Sequence, residues 1–251
     1  SKSHLSMLEL DQLSWPEVRQ EISRGRDTIV VPFGAVEQHG PHLPLGTDAI
    51  FGDEVGRIVA ERLGAFLAPT LRVGCSRHHL SFAGTMSLHE ETFYRVVADV
   101  VAGLARHGFR RIVLLPTHGG NFRPLGEAVT RLRPPEGVRL ITFPDVSLLL
   151  GAILPVASSL GFTPAEEGVH AGEWETSMML ALRPDLVRME VAEAGYTGDL
   201  MSGVQRFFDE GVQAIGENGV FGDPRRASAE AGRLYLERIV DVVVQQIEDG
   251  S

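Results

Sequence analysis

The chain of 251 residues carries one cysteine, Cys75. A lone thiol excludes an internal disulfide and any zinc site built from cysteines, and it suits a reducing compartment, so a cytoplasmic protein is expected. Positive charge is in deficit as well: 23 Lys and Arg face 33 Asp and Glu, a formal net charge of −10. A surface of that sign repels phosphate, which argues against a nucleic-acid partner. Ser1-Lys2-Ser3-His4 has no initiator Met and no basic segment leading into an apolar run, so no secretory leader is read there. Long uncharged stretches are scarce. From Leu140 to Phe162 the only charge is Asp145, a span long enough for a bilayer, but Pro144, Gly151, Pro155 and Gly161 interrupt it. That pattern predicts a short strand followed by an apolar helix or loop in a core or pocket wall, with no membrane partner. Several catalytic signatures are also missing. The chain has no G-x-S-x-G elbow, no HExxH, no complete P-loop and no Rossmann fingerprint, and Cys75 lacks a nucleophile signature.

With 43% hydrophobic and 22% charged residues, the chain can bury a continuous core, and one domain with its core at about 10–248 is expected. Ser14-Trp15-Pro16-Glu17 reads as a capping box opening a helix to about Arg24. Thr28 to Phe33 is a β-branched apolar run of the kind buried on both faces of a parallel sheet. Helical spacing follows from Ala49 to Leu63, then a strand over Phe66 to Pro69, an amphipathic helix over Glu90 to His107 and a strand over Arg111 to Pro116. A helix to about Arg133, a strand from Val138 to Phe143, a helix through Leu182 and a last helix from Arg225, announced by Asp223-Pro224, complete the pattern. Residues 191–222 are Gly-rich and poorly patterned. The alternation predicts an α/β fold with a mostly parallel central sheet covered by helices on both faces, and a ligand site beyond the carboxyl ends of its strands.

Three polar clusters stand at such ends. The first is Glu37-Gln38-His39-Gly40-Pro41-His42-Leu43-Pro44-Leu45-Gly46-Thr47-Asp48. On an extended backbone Glu37 and His39 leave the same face, so both can reach one metal centre, and Asp48 has two oxygens with which to bind one metal or bridge two. Asp48 can equally cap the following helix. The second cluster is Thr117-His118-Gly119-Gly120-Asn121, where His118 reads as a ligand beside glycines that let a metal and substrate approach the backbone. The glycine pair also suits a phosphate cradle, though the accompanying basic residue is absent. The third is His170-Ala171-Gly172-Glu173-Trp174-Glu175-Thr176-Ser177. His170 and Glu173 lie one helical turn apart and can face one site, while Glu175 projects elsewhere and either braces the site or enters it. Trp174, Met178 and Met179 read as core packing. Taken singly, each acid or histidine reads as a solvated loop residue; together they suit Zn2+, Mn2+ or Fe2+.

The three motifs, in this order, resemble the creatininase (creatinine amidohydrolase) family over residues of about 10–248. The resemblance implies a three-layer α/β/α fold, two divalent metals and hydrolysis of non-peptide C–N bonds of a small-molecule amide through a bridging hydroxide. It also implies a homo-oligomer, commonly a hexamer. Carried over, Glu37 and His118 bind one metal, His39 the other, and Asp48 bridges them. Creatininase itself has a further Glu ligand where this chain has Gly120, and relatives of the His-Gly-Gly-Asn type imply Glu173 in its place. His170 matches a histidine that moves protons or contacts substrate, and is expected to be catalytic. His42, His79, Gly119 and Glu175 are expected to touch substrate or brace the ligands. Tryptophans that close the creatininase pocket fall at Pro144 and Glu166, which argues against creatinine as substrate. Relatives with formamide-deformylase and small-peptide peptidase activities keep those readings open, and a non-catalytic binding role is the reading from a different class.

Overall fold

The structure is a computed structural model that describes residues 6–250, so the Ser1 to His4 stretch lies outside the described residues. Five strands form one sheet, all pairs parallel: β1 (Leu8–Glu9), β2 (Thr28–Phe33), β3 (Phe66–Leu67), β4 (Arg111–Pro116) and β5 (Arg139–Ile141). Their order across the sheet is β1-β3-β2-β4-β5. β2 and β4 occupy the bounds expected from their apolar runs. β3 and β5 are shorter than expected, and Phe143 leaves the ladder to pack in the core.

Helices α1 (Trp15–Ser23), α2 (Thr47–Leu63), α3 (Glu90–Arg106), α4 (Phe122–Arg131), α5 (Ser147–Ser159), α6 (Pro164–Glu167), α7 (Glu173–Leu182), α8 (Leu200–Glu210) and α9 (Ala229–Asp249) surround the sheet. The Ser14 capping box forms, with the Ser14 N–H and hydroxyl donating to Glu17 Oε2 at 2.7 and 2.6 Å. α9 begins later than Asp223-Pro224 suggested. Asp223 Oδ1 accepts from the Arg225 N–H at 3.1 Å and its other oxygen pairs with the Arg225 guanidinium, a local turn, and Ser228 Oγ then caps the helix by accepting from the Ala231 N–H. α8, in the stretch that carried no readable pattern, is an amphipathic helix.

Strand alternation sorts the core into two clusters. Ile29, Val31, Phe33, Ile112 and Leu114 pack with Phe93 and Val97 of α3 and Leu125 of α4. Val30, Val113 and Leu115 face the other way, against Val55 and Val59 of α2, Ile153 of α5, Met178 and Met179 of α7, and Ile239 and Val243 of α9. Helices on both faces of a parallel sheet make the three-layer α/β/α architecture. Burial on both faces also explains why β2 and β4 carry apolar residues at nearly every position. Among the described residues no helix is long and apolar enough to cross a membrane.

The sheet register sets where the first two polar loops emerge. Phe33 pairs with Pro116, so β2 and β4 end level and release their loops side by side. α2 starts close against the first of these loops: a Cβ on Gly34 would stand 2.7 Å from Ala49 Cα, so only glycine lets the helix approach.

Candidate metal centre

After β2 the backbone stays extended, held by the Met86 N–H donating to Val36 O at 2.9 Å, and the Glu37 N–H then closes the loop onto Leu45 O at 2.9 Å. Glu37 and His39 therefore turn to one side, as their spacing predicts. Asp48 is the second residue of α2, behind an N-cap that is Gly46, and its carboxylate does no capping. Instead Asp48 Oδ1 lies 3.1 Å from His39 Nε2 and Oδ2 lies 2.9 Å from His118 Nδ1. His118 leaves the end of β4. Its Nε2 donates to Cys75 O at 2.8 Å, which leaves Nδ1 to face Asp48. Glu37 Oε2 stands 3.4 Å from His118 Nε2, and Glu37 Oε1 stands 4.0 Å from His39 Nε2. Asn121 ties the loops together: its Nδ2 donates to Phe33 O at 3.1 Å and Gly34 O at 2.9 Å, and its Oδ1 accepts from the Cys75 N–H at 3.1 Å. A Cβ on Gly120 would meet Cys75 O at 2.3 Å, so this loop has no room for the side chain that creatininase carries there.

The third motif corrects one expectation. Glu173 does not face the cluster. It is fully buried with Oε1 accepting from Ser177 Oγ at 2.7 Å and Oε2 from the Tyr235 hydroxyl of α9 at 2.6 Å. The facing carboxylate is Glu175, whose Oε2 lies 3.1 Å from His39 Nε2 while Oε1 accepts from the Ala171 N–H at 3.2 Å. The helical spacing of His170 and Glu173 does not apply, because α7 starts only at Glu173 and Ala171 before it sits in the left-handed region at φ 54°. Next to Glu173 the buried Glu167 has both carboxylate oxygens without a hydrogen-bond partner; burial, with Glu173 beside it, pushes its carboxyl up to about 9.

Other expected residues divide. His170 Nε2 donates to Gln38 O at 2.6 Å and its Nδ1 stands 3.8 Å from Glu37 Oε1. His79 reaches the same oxygen with Nε2 at 3.5 Å. His42 lies apart, its Nε2 within 2.9 Å of Thr176 Oγ1, and so braces the first loop against α7. Gly119 lines the cavity with open space where a Cβ would be, so nothing there requires glycine. Met179 is core, whereas Trp174 and Met178 pack on the core and also line the cavity. Gly219 and Phe221, from the poorly patterned stretch, support the site through their backbone: Gly219 O accepts from Gln38 Nε2, and Phe221 exchanges backbone hydrogen bonds with His170. Their one sequence signal is the turn dipeptide Asn218-Gly219.

All of this is dry. Glu37, His39, Asp48, His79, His118, His170 and Glu175 are each no more than 5% exposed. Burial raises the Glu37 carboxyl to about 7 against the pull of His118 and His39. Burial would lower His118, but Glu37 and Asp48 outweigh it and lift the imidazole to about 9; His39 is raised well above its ordinary value by Asp48 and Glu175 in the same way. Burial would raise Asp48, yet the two imidazoles hold it below the usual carboxylate range. By contrast burial pushes His170 down to about 3 and His79 well below its usual value. Carboxylates thus face two imidazoles that they favour as cations, so the cluster gathers negative oxygens around positive charge. Glu37 Oε2, buried with no hydrogen-bond partner, is the atom that fits a metal best. Glu37, His39 and Asp48 bring ligand atoms within 4.8 Å of one another, as do His39, His170 and Glu175, and Glu37, His79 and His170.

A cavity of about 620 Å³ opens on this cluster, walled by Phe143, Leu149, Phe162, Trp174, Phe207 and Phe208 among others. Pro144 and Glu166 do not line it. Pro144 packs over Gly126, and Glu166 pairs with Arg226 at 2.7 Å.

The sequence profile of the family described as "Creatininase: Creatinine amidohydrolase" matches residues 11–247. The mycofactocin precursor peptide peptidase of Mycobacterium ulcerans (strain Agy99) is 35% identical over 229 residues, covering 88% of this chain and 84% of that protein. The creatinine amidohydrolase of Pseudomonas putida is 34% identical over 191 residues, covering 71% and 73%. A crystal structure of creatinine amidohydrolase superposes with TM-score 0.80 at 28% identity, covering 100% of this chain and 98% of that one. Two further creatininase structures, one with Mn and one mutant of Zn-Zn type, match at TM-scores of 0.80 and 0.77 with 27% and 29% identity, covering 97% and 100% of this chain and 98% and 99% of theirs.

Proposed function

The chain belongs to the creatininase family, a family of hydrolases, and on that premise we propose that it is a metal-dependent amidohydrolase cleaving an amide or cyclic-amide C–N bond with two divalent ions, zinc or manganese. The observation that carries the reading is the buried convergence of Glu37, Asp48, Glu175, His39 and His118, with one Glu37 oxygen unpartnered, beside an apolar cavity. Glu37 and His118 would hold one ion, His39 and Glu175 the other. Asp48, whose two oxygens face different imidazoles, would span both. When bound, such a pair supplies a water of lowered pKa and polarises the scissile carbonyl.

The chain's own residues do the remainder. His170 keeps Nε2–H on Gln38 O, so Nδ1 is the atom that would pass the proton released by the attacking water to the leaving nitrogen. The aromatic wall excludes water and so strengthens every charge interaction inside. A cavity of about 620 Å³ lies in the range that accommodates drug-sized ligands, which supports an amide larger and more apolar than creatinine. A short peptide is the second reading. It is favoured by the relative with the broader coverage, which is named a peptide peptidase. The proposal also takes the chain as a homo-oligomer, supported by the exposed apolar side chains Leu154, Met201 and Phe208, and light scattering is expected to give a mass that is a multiple of 27.3 kDa.

A panel of amides, formamides, creatinine and short peptides, run with Zn2+ or Mn2+, tests the function. Turnover that chelator abolishes and Asp48→Ala removes is expected; tight ligand binding with no turnover of any panel member would overturn it in favour of a binding role.

A further inference from the structure

Glu37, His79 and His170 bring three ligand atoms together, a composition suited to an additional cation. The hydrogen bonds around Gln38 argue otherwise. The Gly40 N–H is a donor and nothing else, and it points at Gln38 Oε1 at 3.0 Å. Gly219 O is an acceptor and nothing else, and it lies 3.1 Å from Gln38 Nε2. These two backbone groups fix which end of the amide is oxygen and which is nitrogen. The other hydrogen of Nε2 then has one place to go, His79 Nδ1 at 2.9 Å. Nδ1 must accept, so the ring proton of His79 sits on Nε2. Nε2 lies 3.5 Å from Glu37 Oε1.

A nitrogen that carries a proton offers no lone pair to a metal, and its hydrogen carries positive charge toward the place a cation would take. The backbone carbonyl of the same Gln38 meanwhile accepts from His170 Nε2, so His170 turns its other nitrogen, Nδ1, toward the same carboxylate oxygen. The space for the Gln38 side chain is itself built: Gly219 has φ 77°, and a Cβ there would stand 2.0 Å from Gln38 Oε1.

We propose that Gln38 is a positioning residue that locks His79 in the Nε2–H tautomer, keeps it out of the metal ligand set, and leaves its N–H as a donor for an oxygen of the bound substrate. The choice of an oxygen as the partner rests on the amidohydrolase reading; the tautomer does not, and it is measured without turnover.

Long-range proton–nitrogen correlation NMR of the histidine rings reads it directly. In the metal-free wild-type protein, His79 is expected to carry its proton on Nε2. Gln38→Ala is expected to shift the His79 pattern away from that single form while leaving His170, whose partner is a backbone carbonyl, unchanged. A His79 proton on Nδ1, or a His79 pattern indifferent to Gln38→Ala, would overturn the proposal. Zn2+ loading supplies an arm that does not depend on the Gln38 variant folding. His79→Phe is expected to bind the same ratio of metal to chain as the wild type, and a lower ratio would identify His79 as a ligand and sink the idea.

Discussion

Glu173 and Glu175 stand two positions apart on α7, about 200° around the helix, so one carboxylate faces the metal cluster only if the other faces the packing behind it. The left-handed Ala171 sets which is which. It reverses the chain just ahead of α7, delivers His170 to the cluster from outside the helix, and offers its N–H to Glu175 Oε1. Substitution separates the two acids cleanly. Glu175→Gln is expected to weaken retention of one metal by more than about 100-fold, beyond the roughly 10- to 100-fold that loss of a supporting hydrogen bond typically causes, as read by metal analysis after dialysis. Glu173→Gln is expected to keep both metals and to cost about 1–3 kcal/mol in urea unfolding, because it disturbs a buried bond to Tyr235.

β2 and β4 end level, and that register brings the first two motifs to one place. Asn121 converts adjacency into a fixed spacing by bonding the ends of β2 and the Cys75 loop at once. Asn121→Ala removes the side-chain partner of Gly34 O and of the Cys75 N–H, while Phe33 O keeps the Thr117 N–H at 2.9 Å. A loss of at least about 2 kcal/mol of stability and weaker metal retention are expected together, measured by denaturation and by dialysis against chelator. These strands were legible in the sequence because both faces of each are buried, so apolar residues run without alternation. Glu37, His39, Asp48 and His118 were legible too, since a strand end carrying acids and histidines has few structural uses. Glu173 was not correctly placed, because the spacing assumed a helix that had not yet begun. Gly219 was marked only by the turn dipeptide Asn218-Gly219, and Phe221 gave no signal, for what Phe221 supplies is backbone polarity, which any residue type carries. In α8, Leu200, Val204, Phe207 and Phe208 do stand at helical spacing, but the surrounding glycines obscured it.

The molecule's charge balance has a measurable counterpart in its metal affinity. His118, lifted to about 9, and His39, raised well above its ordinary value, are protonated near neutral pH without metal, and ligand nitrogens must be bare. Metal binding near pH 7 is therefore expected to release on the order of two protons per chain, seen by titration calorimetry in buffers of different ionisation heat. The release should fall as pH rises past about 9, where His118 is already neutral, and affinity should fall as the pH is lowered. Stability of the metal-free chain runs with the opposite sign to metal affinity: the contribution of a group raised from 6.5 is whole below that value and is lost as pH climbs through about 9. The division of labour across the molecule has an evolutionary consequence. Every candidate ligand hangs from β2, α2, β4 or α7, while α5 and α8 supply apolar wall and no ligand. Substitutions in those two helices can redraw the shape offered to a substrate while the chemistry is inherited intact, which is the arrangement from which a lineage can change what it hydrolyses in single steps without an inactive intermediate.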